Sequence, residues 1–358
     1  MSARATKLSI NPVSQYHPPF WLVGCHAQTI WPSLLSPKAR VVYRRERWDT
    51  ADGDFVDVDF TDSQSSNVGS EIATTSPILV LFHGLEGSAQ SSYSKALMAF
   101  CVRAGWQGAV AHFRGCSGEH NRLARAYHSG DSEHVDFVLN RLDGEFNKVK
   151  FNQAKSNQNS PSFQRRPIFA VGVSLGGNAL IKWLGTNGQN STLIQGAYAI
   201  SAPHDLEAGA VVLSKGFNKI YTNNFLKTLR EKSRYKAALF PDQIKLAEIL
   251  QARDFFSFDH VATAPLHGFR SCYDYWRRSS CKQFMAGITI PTTVLNALND
   301  PFLPAFALAT AAEVSPAVRL HYPNTGGHVG FAQGLPPGNQ QWLAQQVSNF
   351  FETLISHG

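Results

Sequence analysis

The chain has 358 residues and no stretch of 18 consecutive apolar ones, so no membrane-spanning helix is expected. Its first residues, MSARATKLSINPVSQYH, lack the apolar run of a secretory signal. Cysteine is scarce and odd in number: Cys25, Cys101, Cys116, Cys272 and Cys281 form no C-x-x-C pair. That argues against a disulfide framework and for free, mostly buried thiols in a reducing compartment, hence a soluble cytoplasmic protein. The phosphate-cradling patterns G-x-G-x-x-G and G-x-x-x-x-G-K-[ST] are absent, so no nucleotide cofactor is expected. H-E-x-x-H is also missing. The polar stretch YHSGDSEHVD groups His128, Asp131, Glu133, His134 and Asp136, but at no recognised ligand spacing, and acidic residues are ordinary in a first helical turn. No metal is expected. Charge is sparse at 16%, with a net +7 and a pI of about 9.2. Lysine and arginine are scattered apart from one short basic cluster at Arg165 and Arg166, which is not the footprint of a nucleic-acid binder. Peripheral contact with an anionic membrane surface stays open.

What the chain has is apolar material, 43% of its residues, enough for a sizeable core. Short apolar runs alternate with helical patterns. RVVYRRERW and DFVDVDF read as two early strands, and PILVLFHG, WQGAVAHF, IFAVGVS and LIQGAYAIS as strands of a buried sheet. Leu97, Phe100, Cys101 and Ala104 recur at helical spacing with Gly105 placed to end that helix, and DSEHVDFVLNRL and LGGNALIKWL read as further helices. TDSQSSNVGSEIATTS reads as a surface loop and FNKVKFNQAKSNQNSPSFQRRP as a long polar connection. The βαβα rhythm predicts an α/β architecture with a doubly wound, mostly parallel sheet. It breaks between about residues 205 and 286, where helical candidates such as NNFLKTLREKSRYKAALF and PDQIKLAEIL follow one another without a clear strand. It resumes with ITIPTTVLNAL as a strand, PAFALATAAEV as a helix and AVRLHYP as a strand, and ends in a helix with Leu343, Val347, Phe350, Phe351 and Leu354 on one stripe. The expected division is a core of residues 1–204 and 287–358, including an N-terminal extension, with residues 205–286 inserted as a helical cap.

AVGVSLGGNAL places Ser174 in a G-x-S-x-G pattern. Average glycine and serine frequencies would supply about 0.1 such matches by chance in a chain of this length, so context decides. The pattern would also suit a serine that merely caps a helix. An apolar strand before it and a helix after it favour a nucleophile presented on a tight turn, with Gly172 and Gly176 permitting the turn. A serine hydroxyl needs a base, and the base an orienting group. In this arrangement they follow in the order acid, then histidine. Asp300, in LNALNDPFL just past a strand, is the candidate acid. Of the three histidines beyond it, His321 lies inside a strand and His357 beside the chain end, while His328 sits in the glycine-rich NTGGHVGF. His328 is the candidate base. The N–H groups of Leu175 and of Leu85, in HGLEGS, are the candidate oxyanion donors, each worth roughly 3 kcal/mol. Glu86 is expected to turn outward, since a carboxylate facing the hole would oppose the developing charge. FRGCSGEHNR is expected at the same sheet edge, with Arg114 pairing to a neighbour.

Taken together, PPFWLVGCHAQTIWP, LFHGLEGSAQSSY, HFRGCSGEHNR, VGVSLGGNAL, TAPLHGF, LNALNDPFLP and GGHVGF resemble the YheT-type α/β-hydrolases of bacteria, relatives of animal α/β-hydrolase-domain lipases and yeast medium-chain ethanol O-acyltransferase/esterases. The resemblance runs from about residue 17 to the C-terminal helix. It implies an α/β-hydrolase fold with a sheet of about eight strands, a helical cap inserted before the strand that carries Asp300, and Ser174, Asp300 and His328 as the catalytic triad. It implies action on carboxylic esters, phospholipids or acylglycerols, or acyl transfer to an alcohol. The polar connection near residues 150–166 looks like an insertion relative to the family pattern. The expected function is a serine carboxylic-ester hydrolase acting on short- to medium-chain acyl or lipid esters. An acyltransferase is the alternative, although no H-x-x-x-x-D signature occurs at any of the thirteen histidines. A non-catalytic binding protein of the same fold is another, although such proteins usually lose a triad member and this chain has all three.

Overall fold

The computed structural model describes residues 15–61, 75–148 and 165–357. The two polar stretches read above as a loop and a long connection fall largely outside the described residues. Eight strands form one sheet: β1 (Tyr43–Asp49), β2 (Phe55–Thr61), β3 (Ile78–Phe82), β4 (Gln107–Ala111), β5 (Ile168–Val173), β6 (Gly196–Ile200), β7 (Thr292–Leu295) and β8 (Val318–His321). Their order is β1-β2-β4-β3-β5-β6-β7-β8. β2 runs antiparallel to β1 and β4, and every other pairing is parallel. Each of the eight apolar runs identified in the sequence supplies one strand.

The central strands read as continuous apolar runs because both faces are covered. Along β3, Ile78, Val80 and Phe82 enter one core while Leu79 and Leu81 enter another on the opposite face. β5 divides the same way, with Ile168 and Ala170 on one side and Phe169, Val171 and Val173 on the other. This is the strand's two-residue period expressed as two cores. The helix Leu175–Asn187 packs into the first, and Ser92–Ala104 and Gln341–His357 into the second. Gly105 ends Ser92–Ala104 in the left-handed region, φ 69, as a glycine can. Asp131 caps Ser132–Asp143 by accepting the His134 N–H.

No strand among the described residues lies between β6 and β7. That segment holds the helices Leu206–Leu213, Lys219–Leu239, Leu246–Gln251 and Cys272–Ser279 among shorter turns. Many of its buried side chains form separate clusters, one around Leu226, Ile249 and Phe258 that also takes in Ala124, another around Ala210, Tyr275 and Trp276, while Cys281, Met285 and Ile288 join the main core. No helix among the described residues is long and apolar enough to cross a membrane. The five cysteines are free thiols, with Cys101, Cys272 and Cys281 buried.

Two local expectations need correction, and one helix is new. PAFALATAAEV forms two short 3-10 turns, Ala305–Ala307 and Ala311–Glu313, rather than a helix. Tertiary partners take its backbone groups: the Ala309 N–H donates to His204 Nδ1 at 2.9 Å, and the Leu308 and Ala309 carbonyls accept from Lys282 Nζ and Tyr322 Oη at 3.2 and 3.0 Å. PDQIKLAEIL is helical only from Leu246. A helix that the periodicity did not announce, Cys25–Leu34, opens the described chain, with Pro32 inside it.

Candidate active site

β5 ends at Val173, and Ser174 bridges it to the helix Leu175–Asn187 with φ 53 and ψ −117. A non-glycine residue there is held by its surroundings against an unfavourable backbone. Ser174 N–H donates to the Ile200 carbonyl at 2.8 Å, and the Ser174 carbonyl accepts from Asn178 N–H at 3.0 Å. The flanking glycines are steric requirements. A Cβ on Gly172 would come within 2.6 Å of the Gly176 oxygen, and one on Gly176 would collide with the carbonyls of Phe82 and His83. Deeper in the helix, Asn178 Nδ2 donates to the carbonyls of Ser129 and Ser279, each at 2.7 Å, and its Oδ1 accepts the Cys281 N–H at 2.9 Å.

Asp300 follows β7 in a turn closed by its own N–H to the Ala297 carbonyl at 3.1 Å. Its Oδ1 accepts the Phe302 N–H at 2.8 Å and its Oδ2 lies 2.8 Å from His328 Nδ1. His328 Nε2 lies 2.9 Å from Ser174 Oγ. A carboxylate only accepts, so Nδ1 is the protonated nitrogen and Nε2 accepts the Ser174 hydroxyl. The aspartate side chain is 1% exposed and the histidine 11%. Phe302 stacks on the imidazole with ring centres 4.0 Å apart. A histidine so held can take a proton from the serine and return it to a leaving group.

The loop bearing His328 is fixed by residues that no sequence pattern singled out. Thr29 Oγ1 accepts the His328 N–H at 2.9 Å, Asn299 Oδ1 the Gly327 N–H at 3.0 Å, and Gln28 Oε1 the Gly326 N–H at 3.0 Å. Asn299 Nδ2 also donates to Gln28 Oε1 at 2.9 Å. Ser201 Oγ accepts the Val329 N–H at 3.0 Å, and both residues sit at positive φ, 50 and 58. The only prior signal for Gln28 and Thr29 was their place inside the family-like stretch CHAQTIWP.

The turn after β3 abuts Ser174, since a Cβ on Gly84 would stand 3.2 Å from the Ser174 Cβ. His83 is fully buried, with Nδ1 against the Gly84 carbonyl at 2.7 Å and Nε2 accepting the Phe113 N–H at 3.1 Å. Burial holds its pKa well below the ordinary histidine value, so it is a neutral strut of the turn. Gly84 N–H donates to Tyr93 Oη at 3.0 Å and Glu86 N–H to Tyr127 Oη at 2.9 Å. Between them, Leu85 N–H makes no hydrogen bond among the described residues. Leu175 is the first residue of its helix, where an N–H has no intrahelical acceptor. Glu86 does not turn outward. Its side chain is 9% exposed and bonded to Tyr127 and Lys232, because the helix Lys219–Leu239 crosses above it.

A cavity of about 200 Å³ opens from Ser174 and His328 under the helices between β6 and β7, walled by residues such as Leu85, Leu213, Phe225 and Phe258. Arg114, His120 and Asn121 of FRGCSGEHNR line it too, with Arg114 tied to Asp52 and Asp54 at 2.8 and 3.0 Å. Burial pushes the wall imidazoles of His128 and His267 down to about 4 and about 3, so they are uncharged at neutral pH. Burial also lowers Lys236 to about 8 and raises Asp259 to about 6. Asp131 of the histidine-rich stretch is spent as a helix cap, and Asp136 accepts the Trp183 Nε1–H at 2.9 Å.

A mostly parallel eight-stranded sheet with a serine on the turn after β5, a carboxylate after β7 and a histidine after β8 defines an α/β-hydrolase. No family model matches the chain. YheT of Escherichia coli (strain K12), provisionally named an esterase, is 34% identical over 334 residues, which are 93% of this chain and 91% of that one. Phospholipase ABHD3 of Bos taurus is 28% identical over 345 residues, 96% of this chain and 79% of its own. Among solved structures, an esterase of Pyrococcus furiosus aligns with a TM-score of 0.50 at 17% identity, covering 89% of this chain and 97% of that one, a likeness of fold. The chain belongs to the YheT family of esterase- and lipase-type α/β-hydrolases.

Proposed function

We propose that the protein is a serine carboxylic-ester hydrolase whose nucleophile is Ser174, with His328 as general base and Asp300 orienting it. The observation that carries this reading is the hydrogen-bonded line from Asp300 Oδ2 through His328 to Ser174 Oγ, at 2.8 and 2.9 Å, facing an apolar cavity. Ser174 Oγ attacks the ester carbonyl as its proton passes to His328 Nε2. The tetrahedral oxyanion is held by the N–H groups of Leu85 and Leu175. Collapse breaks the bond to the alcohol, which leaves with the proton from His328. Water, deprotonated by His328, then attacks the acyl-enzyme and releases the acid. Residues 205–286 act as the cap that encloses the acyl chain. The names of relatives, a phospholipase and a monoacylglycerol lipase, support acyl esters of lipids or shorter acids as the substrate class.

The test is hydrolysis of p-nitrophenyl esters from acetate to palmitate by wild type and Ser174→Ala. The variant should lose several orders of magnitude in kcat. Full activity in Ser174→Ala would refute the reading, and the preferred chain length measures the cavity.

A further inference from the structure

Glu86 follows the proposed oxyanion donor Leu85 and takes φ 54, a value rare for a residue with a side chain. Tyr127 Oη accepts the Glu86 N–H at 2.9 Å and donates its own proton to Glu86 Oε1 at 2.7 Å. Lys232 Nζ donates to the same Oε1 at 2.7 Å, from the helix Lys219–Leu239 and 146 residues further along the chain. The pair is largely dehydrated, with side chains 23% and 9% exposed, and Cys116 Sγ stands 3.4 Å from the ammonium. Burial works against the lysine's charge, but Cys116 and Glu86 outweigh it and raise the pKa above the ordinary lysine value.

A carboxylate one residue from an oxyanion donor opposes the negative charge that develops in the transition state, and the opposition grows where water is excluded. The ammonium of Lys232 cancels it. The same bond draws the turn after β3 toward a helix that has no other part in the triad.

We propose that Lys232 is a positioning residue for ester hydrolysis. By pairing with Glu86 it neutralises the carboxylate beside the Leu85 N–H, so the oxyanion hole is free of an uncompensated negative charge only while the helical segment between β6 and β7 is docked on the sheet. This rests on the serine-hydrolase reading above.

The experiment compares full-length Lys232→Met, Glu86→Gln, the double variant and Ser174→Ala. It measures kcat and KM for a short ester, thermal midpoint, and inhibition by a trifluoromethyl ketone, which forms a tetrahedral adduct on the serine oxygen and so loads the hole. Lys232→Met should lower kcat about 30-fold with KM within about twofold, and weaken the ketone by a similar factor. The double variant, with no unpaired carboxylate and the Tyr127 bond kept, should return to within about fivefold of wild type. Unchanged kcat and ketone binding in Lys232→Met, a loss confined to KM, or a double variant no faster than Lys232→Met would overturn the proposal. Should Lys232→Met fail to fold, Lys232→Gln measured in the same way decides. Turnover surviving in Ser174→Ala would sink the serine-hydrolase reading itself, whereas Ser174-dependent turnover indifferent to position 232 would sink only this proposal.

Discussion

Thr29 Oγ1 accepts the backbone N–H of His328 at 2.9 Å across 299 residues of sequence. The hydroxyl meanwhile donates to the Cys25 carbonyl at 2.7 Å, so its lone pair is aimed at the loop. Thr29→Val keeps the shape and removes the acceptor, leaving a part-buried N–H without its partner at a cost of about 1 kcal/mol. We expect kcat to fall about tenfold with KM little changed, while Thr29→Ser stays near wild type. Steady-state kinetics on one ester would check this, and an unaltered kcat in Thr29→Val would count against a role for the N-terminal helix in holding His328.

Gly176→Ala should be among the most damaging single-methyl changes in the chain. The new Cβ would meet the backbone of Phe82 and His83, which cannot rotate away as a side chain could. A loss of about 3 kcal/mol or failure to fold is expected. Gly144→Ala is the control, since nothing stands within 4 Å of a Cβ there and its φ is −56. Urea midpoints for the two variants should differ widely, and equal midpoints would refute the steric argument.

Stability should decline in mild acid. Burial pushes His128 and His134 down to about 4, and His204 and His267 down to about 3. In the unfolded chain these rings return to about 6.5. Between the two values the unfolded chain binds more protons, so the stabilisation is present above about pH 6.5 and drains as pH falls toward 4 and below. Asp259, raised to about 6 by burial, has the opposite sign between about pH 4 and 6, and Glu145, also raised by burial, acts with it, but His321, pushed down to about 4, joins the four histidines above. The urea midpoint should therefore be clearly lower at pH 5 than at pH 7, each histidine costing about 2 kcal/mol over that interval. A midpoint that is flat or higher at pH 5 would show that these rings are not held neutral in the fold.

Much of the sheet was legible because each strand is a short run of apolar residues bounded by glycine, proline or polar turns, and burial on both faces removes ambiguity of phase. β3 is the clearest case: Ile78 to Phe82 are all fully buried. Ser174, Asp300 and His328 could each be picked out from a place just after a strand, and they lie within hydrogen-bond reach of one another. Their supports were not legible. Gln28, Thr29, Asn299 and Ser201 are ordinary polar residues with no period, and their use depends on which loops the fold brings together. Glu86 failed for the same reason: its partner Lys232 sits on a helix whose placement the sequence does not state. PAFALATAAEV failed differently, because helix propensity is a weak preference and the side chains of His204, Lys282 and Tyr322 claim its backbone first.

The first described helix and its flanks are stitched to the loops that follow β8. Trp21 Nε1 donates to the Gly334 carbonyl at 3.0 Å, Trp31 Nε1 and Ser36 Oγ donate to the Pro337 carbonyl at 2.8 and 3.0 Å, and Gln28 and Thr29 fasten the loop that bears His328. In chain order Ser174 and the helices over the cavity precede the loop that bears His328, and that loop's acceptors on Gln28 and Thr29 precede them all. The contacts that hold the His328 loop are thus among the longest-range in the described fold, spanning 298 and 299 residues, and none of them can form before that loop has been made.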